Sequence, residues 1–117
     1  MGAEAMMDGA EAVARYAFRT ERQFQDHVVK LAVSLGWDAE LIYHTHDSRR
    51  STPGFPDLVM ARPPEIIYAE LKLKPISQKA GRPTEAQMKW LNALQHCNQR
   101  VYVWRPSDIG HIEEVLK

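Results

Sequence analysis

Asp57, Glu70 and Lys72 are the residues of this 117-residue chain whose types and spacing best suit a chemical reaction. Asp57 begins one short apolar run, whereas Glu70 and Lys72 lie in the next one. Both runs are rich in residues that favour strands, and Pro63 and Pro64 lie between them. Because proline has no backbone N–H, these two residues cannot continue a strand. We therefore predict a β-hairpin that turns between Pro63 and Pro64.

The position of this turn determines which side chains meet. Counting outward from it, Asp57 lies opposite Glu70, and Glu70 shares a strand face with Lys72 because side chains alternate. Two opposed carboxylates repel each other, and a hard cation such as Mg²⁺ or Mn²⁺ would remove that repulsion. Such an ion can activate water and neutralise charge at a phosphorus centre, and Lys72 could orient the water. The alternative is a hairpin with an exposed polar face and no chemistry.

These residues belong to a longer ordered set that resembles a nuclease signature. Residues 54–58, 70–72 and 84–91 resemble the PD-(D/E)XK pattern in the form found in VRR-NUC nucleases, and the resemblance covers roughly residues 20 to 117. It implies an α/β fold, with a restriction-endonuclease-like α/β/α core in which helices flank a central mixed sheet. We expect one such domain at residues 20–117, preceded by an arm or extra helix at residues 1–19.

The resemblance also implies the metal ligands. Asp57, Glu70 and the main-chain carbonyl of Leu71 would hold Mg²⁺ or Mn²⁺. Glu21 matches the first-helix glutamate that reaches the metal in this family, usually through water, and Asp26 is the weaker alternative. A purely structural role for Glu21 stays open, because the helix dipole favours a carboxylate at a helix N-terminus.

Two segments carry the same helix-start pattern. Residues 20–23 read Thr-Glu-Arg-Gln and residues 84–87 read Thr-Glu-Ala-Gln, and both predict a capping box followed by a helix. Gln87 also matches the family's motif glutamine, which would hold a water or a substrate phosphate. Capping alone is an equally physical role for Gln87. We expect Trp90, in the second helix, to be a core residue.

The charges of the chain are segregated. Its net charge is zero, yet residues 49–105 carry ten basic and four acidic side chains, a surplus of +6 around the proposed site. This surplus indicates a DNA partner, although an ordinary solvated surface is the alternative. Basic and polar side chains near the site are the candidates for gripping the phosphate backbone. They are Arg49, Arg50, Ser51, Lys74, Lys79 and Arg82.

Other features bound the function. No apolar run approaches the roughly 20 residues of a membrane span. A single cysteine, Cys97, excludes an intramolecular disulfide and favours a reducing cytoplasm. His44 and His46 form a His-x-His pair, but no third ligand of that type is evident, so we expect them to flank the cleft without binding zinc.

The chain is therefore interpreted as a metal-dependent DNA endonuclease that hydrolyses phosphodiesters directly. The resemblance favours a homodimeric Holliday junction resolvase-like enzyme, because two symmetric sites suit a two-fold substrate. The alternatives are a flap or nicking endonuclease that acts with other subunits, and a DNA-binding module that does not cleave.

Overall fold

The computed structural model describes residues 18–45 and 52–117. Most of the predicted arm at residues 1–19 lies outside these ranges, and so do His46, Arg49, Arg50 and Ser51. None of the helices in the described ranges is long and apolar enough to cross a membrane. In chain order the elements are α1 (Glu21–Ser34), β1 (Ile42–His44), β2 (Leu58–Arg62), β3 (Glu65–Leu71), α2 (Glu85–His96), β4 (Arg100–Trp104) and α3 (Ile109–Leu116).

The four strands form one mixed sheet in the order β1-β2-β3-β4. The strands β1, β2 and β3 are antiparallel neighbours, whereas β4 runs parallel to β3. A parallel neighbour needs a crossover connection, and α2 supplies it. The sheet therefore has the mixed directions that the sequence predicted.

The hairpin of β2 and β3 has the predicted register. Leu58 pairs with Ala69 and Arg62 pairs with Glu65, so the turn is centred on Pro63 and Pro64. One further step along this register places Asp57 opposite Glu70.

Helices cover the two faces of the sheet. Alternate residues of β2 and β3 pack with one side of α1 and with α3 in a single apolar core, while the ring of Trp37 closes it by donating Nε1–H to the Leu116 carbonyl at 2.9 Å. On the opposite face, Phe55 contacts Tyr68 of β3 and Trp90 of α2 edge-on. The result is the expected α/β/α layering. The buried core residues are Phe24, Val28, Ala32, Trp37, Ile42, Leu58, Met60, Ile67, Ala69, Leu71, Trp104, Ile112 and Leu116.

The loop before β2 touches the start of α2 through main-chain atoms. Gly54 has φ +91°, a left-handed angle that favours glycine. A Cβ atom at this position would lie 2.4 Å from the carbonyl carbon of Ala86 and 2.7 Å from the amide nitrogen of Gln87. No side chain fits there, and the absence of one lets the loop and helix meet beside Asp57.

Candidate active site

Asp57 is oriented by the strand opposite. Its Oδ2 atom accepts a hydrogen bond from the Leu71 N–H at 2.8 Å. The main chain of Asp57 is also fixed, because its carbonyl accepts from the Thr45 N–H at 3.0 Å. The carboxylate therefore lies at the end of β3, beside the Leu71 peptide and facing the position of Glu70. This is the convergence that the hairpin predicted.

Glu70 is a carboxylate held almost wholly out of water. It is 2% exposed, and its Oε2 accepts from the Gln87 Nε2–H at 2.8 Å and lies 3.7 Å from Lys72 Nζ. Its Oε1 has no hydrogen-bond partner among the described residues. A buried polar atom without a partner is unfavourable, so this oxygen is where a ligand would be gained.

The surroundings of Glu70 resist its ionisation. Burial is the largest cause, followed by the negative charge of Asp57, and together they raise the pKa of Glu70 to about 8. Lys72 opposes this rise, whereas the charge of Glu21 adds to it. A cation bound beside Oε1 would reverse the balance, because it would stabilise the ionised carboxylate.

Lys72 is itself buried, with 7% of its surface exposed. Its main-chain N–H donates to the Trp104 carbonyl at 2.9 Å, which extends the parallel pairing of β3 and β4 by one residue. The side chain is thereby directed toward Glu70 rather than into solvent. A charged amine so placed can act on an anion or a water in the same small volume.

Gln87 serves the helix and the site at once. Its Oε1 accepts from the Thr84 N–H at 2.8 Å, and its main-chain N–H donates to the Thr84 hydroxyl at 3.2 Å, which completes the predicted capping box. Its Nε2 remains for Glu70. Gln87 therefore positions the carboxylate, while its predicted contact with water or phosphate stays a prediction.

Glu21 is exposed at the first turn of α1 and lines a cavity of about 330 Å³ together with Arg22, Gln25 and Asp57. Gln25 was missed by the sequence analysis. It is 7% exposed, and its Nε2 lies 2.6 Å from Nδ1 of His44. Its spacing of four residues from Glu21 was the available signal, because residues four apart share a helix face. Asp26 is exposed and does not line this cavity.

The donor set suits a hard divalent cation only in part. Asp57 and Glu70 supply two carboxyl groups and Leu71 supplies an adjacent main-chain carbonyl. The Glu70 Oε1 atom, which has no hydrogen-bond partner among the described residues, is available to a cation. Within residues 18–45 and 52–117, however, no group of three or more His, Cys, Asp or Glu side chains is arranged to hold a metal ion. Direct ligation by Glu21 therefore stays a prediction.

The predicted DNA-binding residues differ in their surroundings. Lys74 and Lys79 are exposed. Arg82 is exposed too, but its guanidinium donates to the carbonyls of Ile76 at 2.8 Å and Ser77 at 3.2 Å, which ties the loop after β3 to itself. Any DNA contact by Arg82 would use only the guanidinium N–H groups that do not donate to these two carbonyls. The other three candidates, Arg49, Arg50 and Ser51, lie outside the described residues.

Comparison with known proteins identifies the fold. No family model matches the chain, and no curated protein matches it significantly. A solved structure described as a VRR_NUC domain protein superimposes with a TM-score of 0.64 at 20% sequence identity, covering 85% of this chain and 86% of that one. The chain therefore has the fold of a VRR-NUC domain protein, as the sequence resemblance implied.

Proposed function

We propose that this protein is a DNA endonuclease that depends on Mg²⁺ or Mn²⁺. The observation that carries the proposal is Glu70, a buried carboxyl group with Asp57 across from it, Lys72 beside it and an Oε1 atom that has no hydrogen-bond partner among the described residues. Such an arrangement is unfavourable in a purely structural hairpin, because burial and the Asp57 charge oppose ionisation of Glu70 and a polar atom is buried unsatisfied. The fold shared with a VRR_NUC domain protein adds support.

In this proposal Asp57, Glu70 and the Leu71 carbonyl hold the metal ion, with Glu21 reaching it directly or through water. The ion would activate water and neutralise charge at the phosphorus atom. The Leu71 N–H keeps the Asp57 carboxylate aimed at this point, and Gln87 does the same for Glu70. The protein thus fixes both carboxylates before substrate arrives, as electrostatic catalysis requires.

Lys72 is proposed to act on the attacking water and on the phosphate. In its charged form the amine positions the attacking water and stabilises negative charge on the phosphate oxygens, and in its neutral form it would accept a proton from that water. The water attacks in line with the leaving oxygen, which gives a 5′-phosphate and a 3′-hydroxyl. No protein nucleophile is needed.

DNA is the proposed substrate because residues 49–105, the segment that contains the candidate site residues, carry a surplus of six positive charges, and Lys74 and Lys79 of that segment are exposed. We further propose a homodimer that nicks a four-way junction symmetrically, on the argument that a two-fold enzyme suits a two-fold substrate. A cytoplasmic setting is proposed from Cys97, which is an exposed free thiol and suits a reducing compartment.

Cleavage of a labelled four-way junction, a 5′ flap and a plain duplex, each with Mg²⁺, Mn²⁺ or a chelator, tests these proposals. We expect symmetric junction nicks that require the metal. Asp57→Ala and Lys72→Met should lower the rate at least about 100-fold while DNA binding is kept. Lys30→Met, an exposed lysine of α1, is the matched control and should cleave like the wild type.

The outcomes separate the levels of the proposal. Full activity in Asp57→Ala or Lys72→Met would reject the assignment of these residues to the active site. Cleavage of only the flap or duplex would keep the chemistry and remove the resolvase assignment, and a monomer with and without DNA would do the same. Metal-independent binding without any cleavage would identify a DNA-binding module instead.

A further inference from the structure

A second concave surface adjoins the active site and takes no part in the proposed chemistry. It is a groove of about 430 Å³ between the loop before β2 and one face of α2. Four of its residues recur on α2 at helical spacing, and the other two belong to the loop. The lining residues are Thr52, Pro53, Ala86, Lys89, Trp90 and Ala93.

The groove shares a wall with the active site. Ala86 lines the groove, and Gln87, the next residue, donates to Glu70. Gly54 abuts the main chain of both residues from the loop side. Whatever occupies the groove would therefore lie next to whatever binds at Glu70.

The lining has a definite chemical character. The lining is mainly apolar, with two alanine methyl groups, a proline ring and an indole beside Thr52, and Lys89 is the one charged side chain among the described residues that line it. Trp90 is half-buried rather than a full core residue, and the Phe55 ring meets it edge-on with 4.8 Å between centroids. One part of the indole is thus fixed by packing while another borders the groove. A mainly apolar slot whose lining includes a lysine suits a flat aromatic ring carried on an anionic chain.

We propose that this groove binds a nucleobase that leaves its base pair in the DNA held at the active site, with Lys89 contacting a neighbouring phosphate. The inference rests on the proposed function and names a subsite for that substrate. A protein partner fits less well, because stable protein interfaces bury about 800 Å² per partner, usually with 20 to 30 residues on each side. The six described residues around this slot fall well short of that number.

The test uses Ala93, which is exposed and lies inside the groove. Ala93→Gln fills the slot without adding charge, and Ala93→Glu fills it with a carboxylate. Gln95→Glu is the control, because it places the same charge on an exposed position of α2 outside the groove. All three replacements are good helix formers, so we expect α2 to be kept, and far-ultraviolet circular dichroism checks this.

Affinity for labelled single-stranded and four-way-junction DNA is measured without divalent metal, and cleavage is measured separately with Mg²⁺. Both Ala93 variants should lose at least about tenfold in affinity, which one lost base-stacking contact would cause. Gln95→Glu should stay within about twofold of the wild type.

A fluorescent base analogue identifies the occupant. 2-Aminopurine is placed at successive positions around the cut. At one position the wild type should quench its fluorescence, and Ala93→Gln should leave that fluorescence unquenched. Removing the base at that position should abolish the affinity difference between the wild type and Ala93→Gln.

Equal DNA affinity of the wild type and both Ala93 variants would reject the proposal that the groove binds a base, while leaving the nuclease proposal intact. Loss of affinity in the Ala93 variants without any cleavage by the wild type would keep the groove and reject the nuclease. If the wild type binds no DNA, both proposals are rejected. A change of oligomeric state in Ala93→Gln, seen by sedimentation, would assign the groove to a second copy of the chain.

Discussion

The two helices that begin with the same sequence pattern, α1 and α2, use it differently. Thr20 and Thr84 each accept a hydrogen bond from the main-chain N–H three residues later, at 3.1 and 3.2 Å. In α2 the capping box is complete, because Gln87 Oε1 also accepts a hydrogen bond from the Thr84 N–H. In α1 the corresponding Gln23 Oε1 accepts instead from the N–H of Arg19, one residue before the cap, at 2.7 Å.

The members that face the proposed site differ as well. The first pattern contributes its glutamate, Glu21, to the cavity beside Asp57, whereas the second contributes its glutamine, Gln87, to Glu70. A helix-start pattern therefore predicts where a helix begins, but the position of that helix against the sheet decides which side chain acts at the site. The variants below test that distinction.

The largest difference is expected between the two glutamines, Gln87 and Gln23. Gln87→Glu keeps the acceptor for the Thr84 N–H but turns a carboxylate toward Glu70, so metal affinity and cleavage should fall about 10- to 100-fold. Gln23→Glu keeps the acceptor for Arg19 and should leave both unchanged. Calorimetric titration with Mn²⁺ and a cleavage assay measure the two variants.

A second variant guards against a simple loss of folding. Gln87→Met removes the donor without adding charge, and we expect it to melt near the wild type yet bind metal more weakly. Wild-type metal affinity in both Gln87 variants would show that Glu70 does not depend on this contact.

The pH dependence of stability should distinguish buried Glu70 from exposed Glu21. Between the ordinary glutamate pKa of 4.5 and the raised pKa of Glu70, about 8, the folded protein without metal holds a proton that the unfolded chain has released. Stability should therefore fall as pH rises through this window. Urea unfolding at about pH 5 and about pH 9, with chelator present, measures the fall.

Glu70→Gln should flatten this dependence, whereas Glu21→Gln, which removes an equal charge from an exposed position, should retain most of it. Added Mg²⁺ or Mn²⁺ should stabilise the wild type more at the higher pH, because the metal competes with the proton for Glu70. An unchanged pH dependence in Glu70→Gln would contradict the claim that buried Glu70 keeps its proton in the folded protein.

The smallest effect is expected at the two cap residues. Thr20→Ala and Thr84→Ala should each lower the free energy of unfolding by about 1 kcal/mol, because each loses one capping hydrogen bond. Only Thr84→Ala should also slow cleavage, since it loosens the turn that carries Gln87. Equal cleavage rates in the two variants would mean that capping and catalysis are independent at α2.

Local rules were sufficient for much of the fold and the centre of the site. Two adjacent prolines fixed the turn of the hairpin, and a fixed turn determines every facing pair up to Asp57 and Glu70. Asn98, shortly after α2, has φ 60°, a left-handed angle that asparagine tolerates at a helix end. These features depend on neighbours in sequence or on a single register.

Contacts between distant elements were harder to predict. The pairing of Gln25 with His44 joins α1 to β1, and the role of Arg82 in binding its own loop depends on where that loop folds back. Both residue types also have ordinary surface roles, so their identity alone carried no signal. The same holds for the groove beside Trp90, whose shape arises only when α2 meets the loop before β2.

The contact between Gly54 and Ala86 affects which substitutions the surrounding residues can tolerate. Because the two segments touch through main-chain atoms, the separation of Asp57 from Gln87 is set by the backbone and not by the choice of packing side chains. Substitutions around the contact can accumulate without moving Asp57 or Gln87, provided that position 54 stays without a side chain. A fold shared with another protein at only 20% identity is compatible with a geometry that depends on the backbone more than on particular side chains.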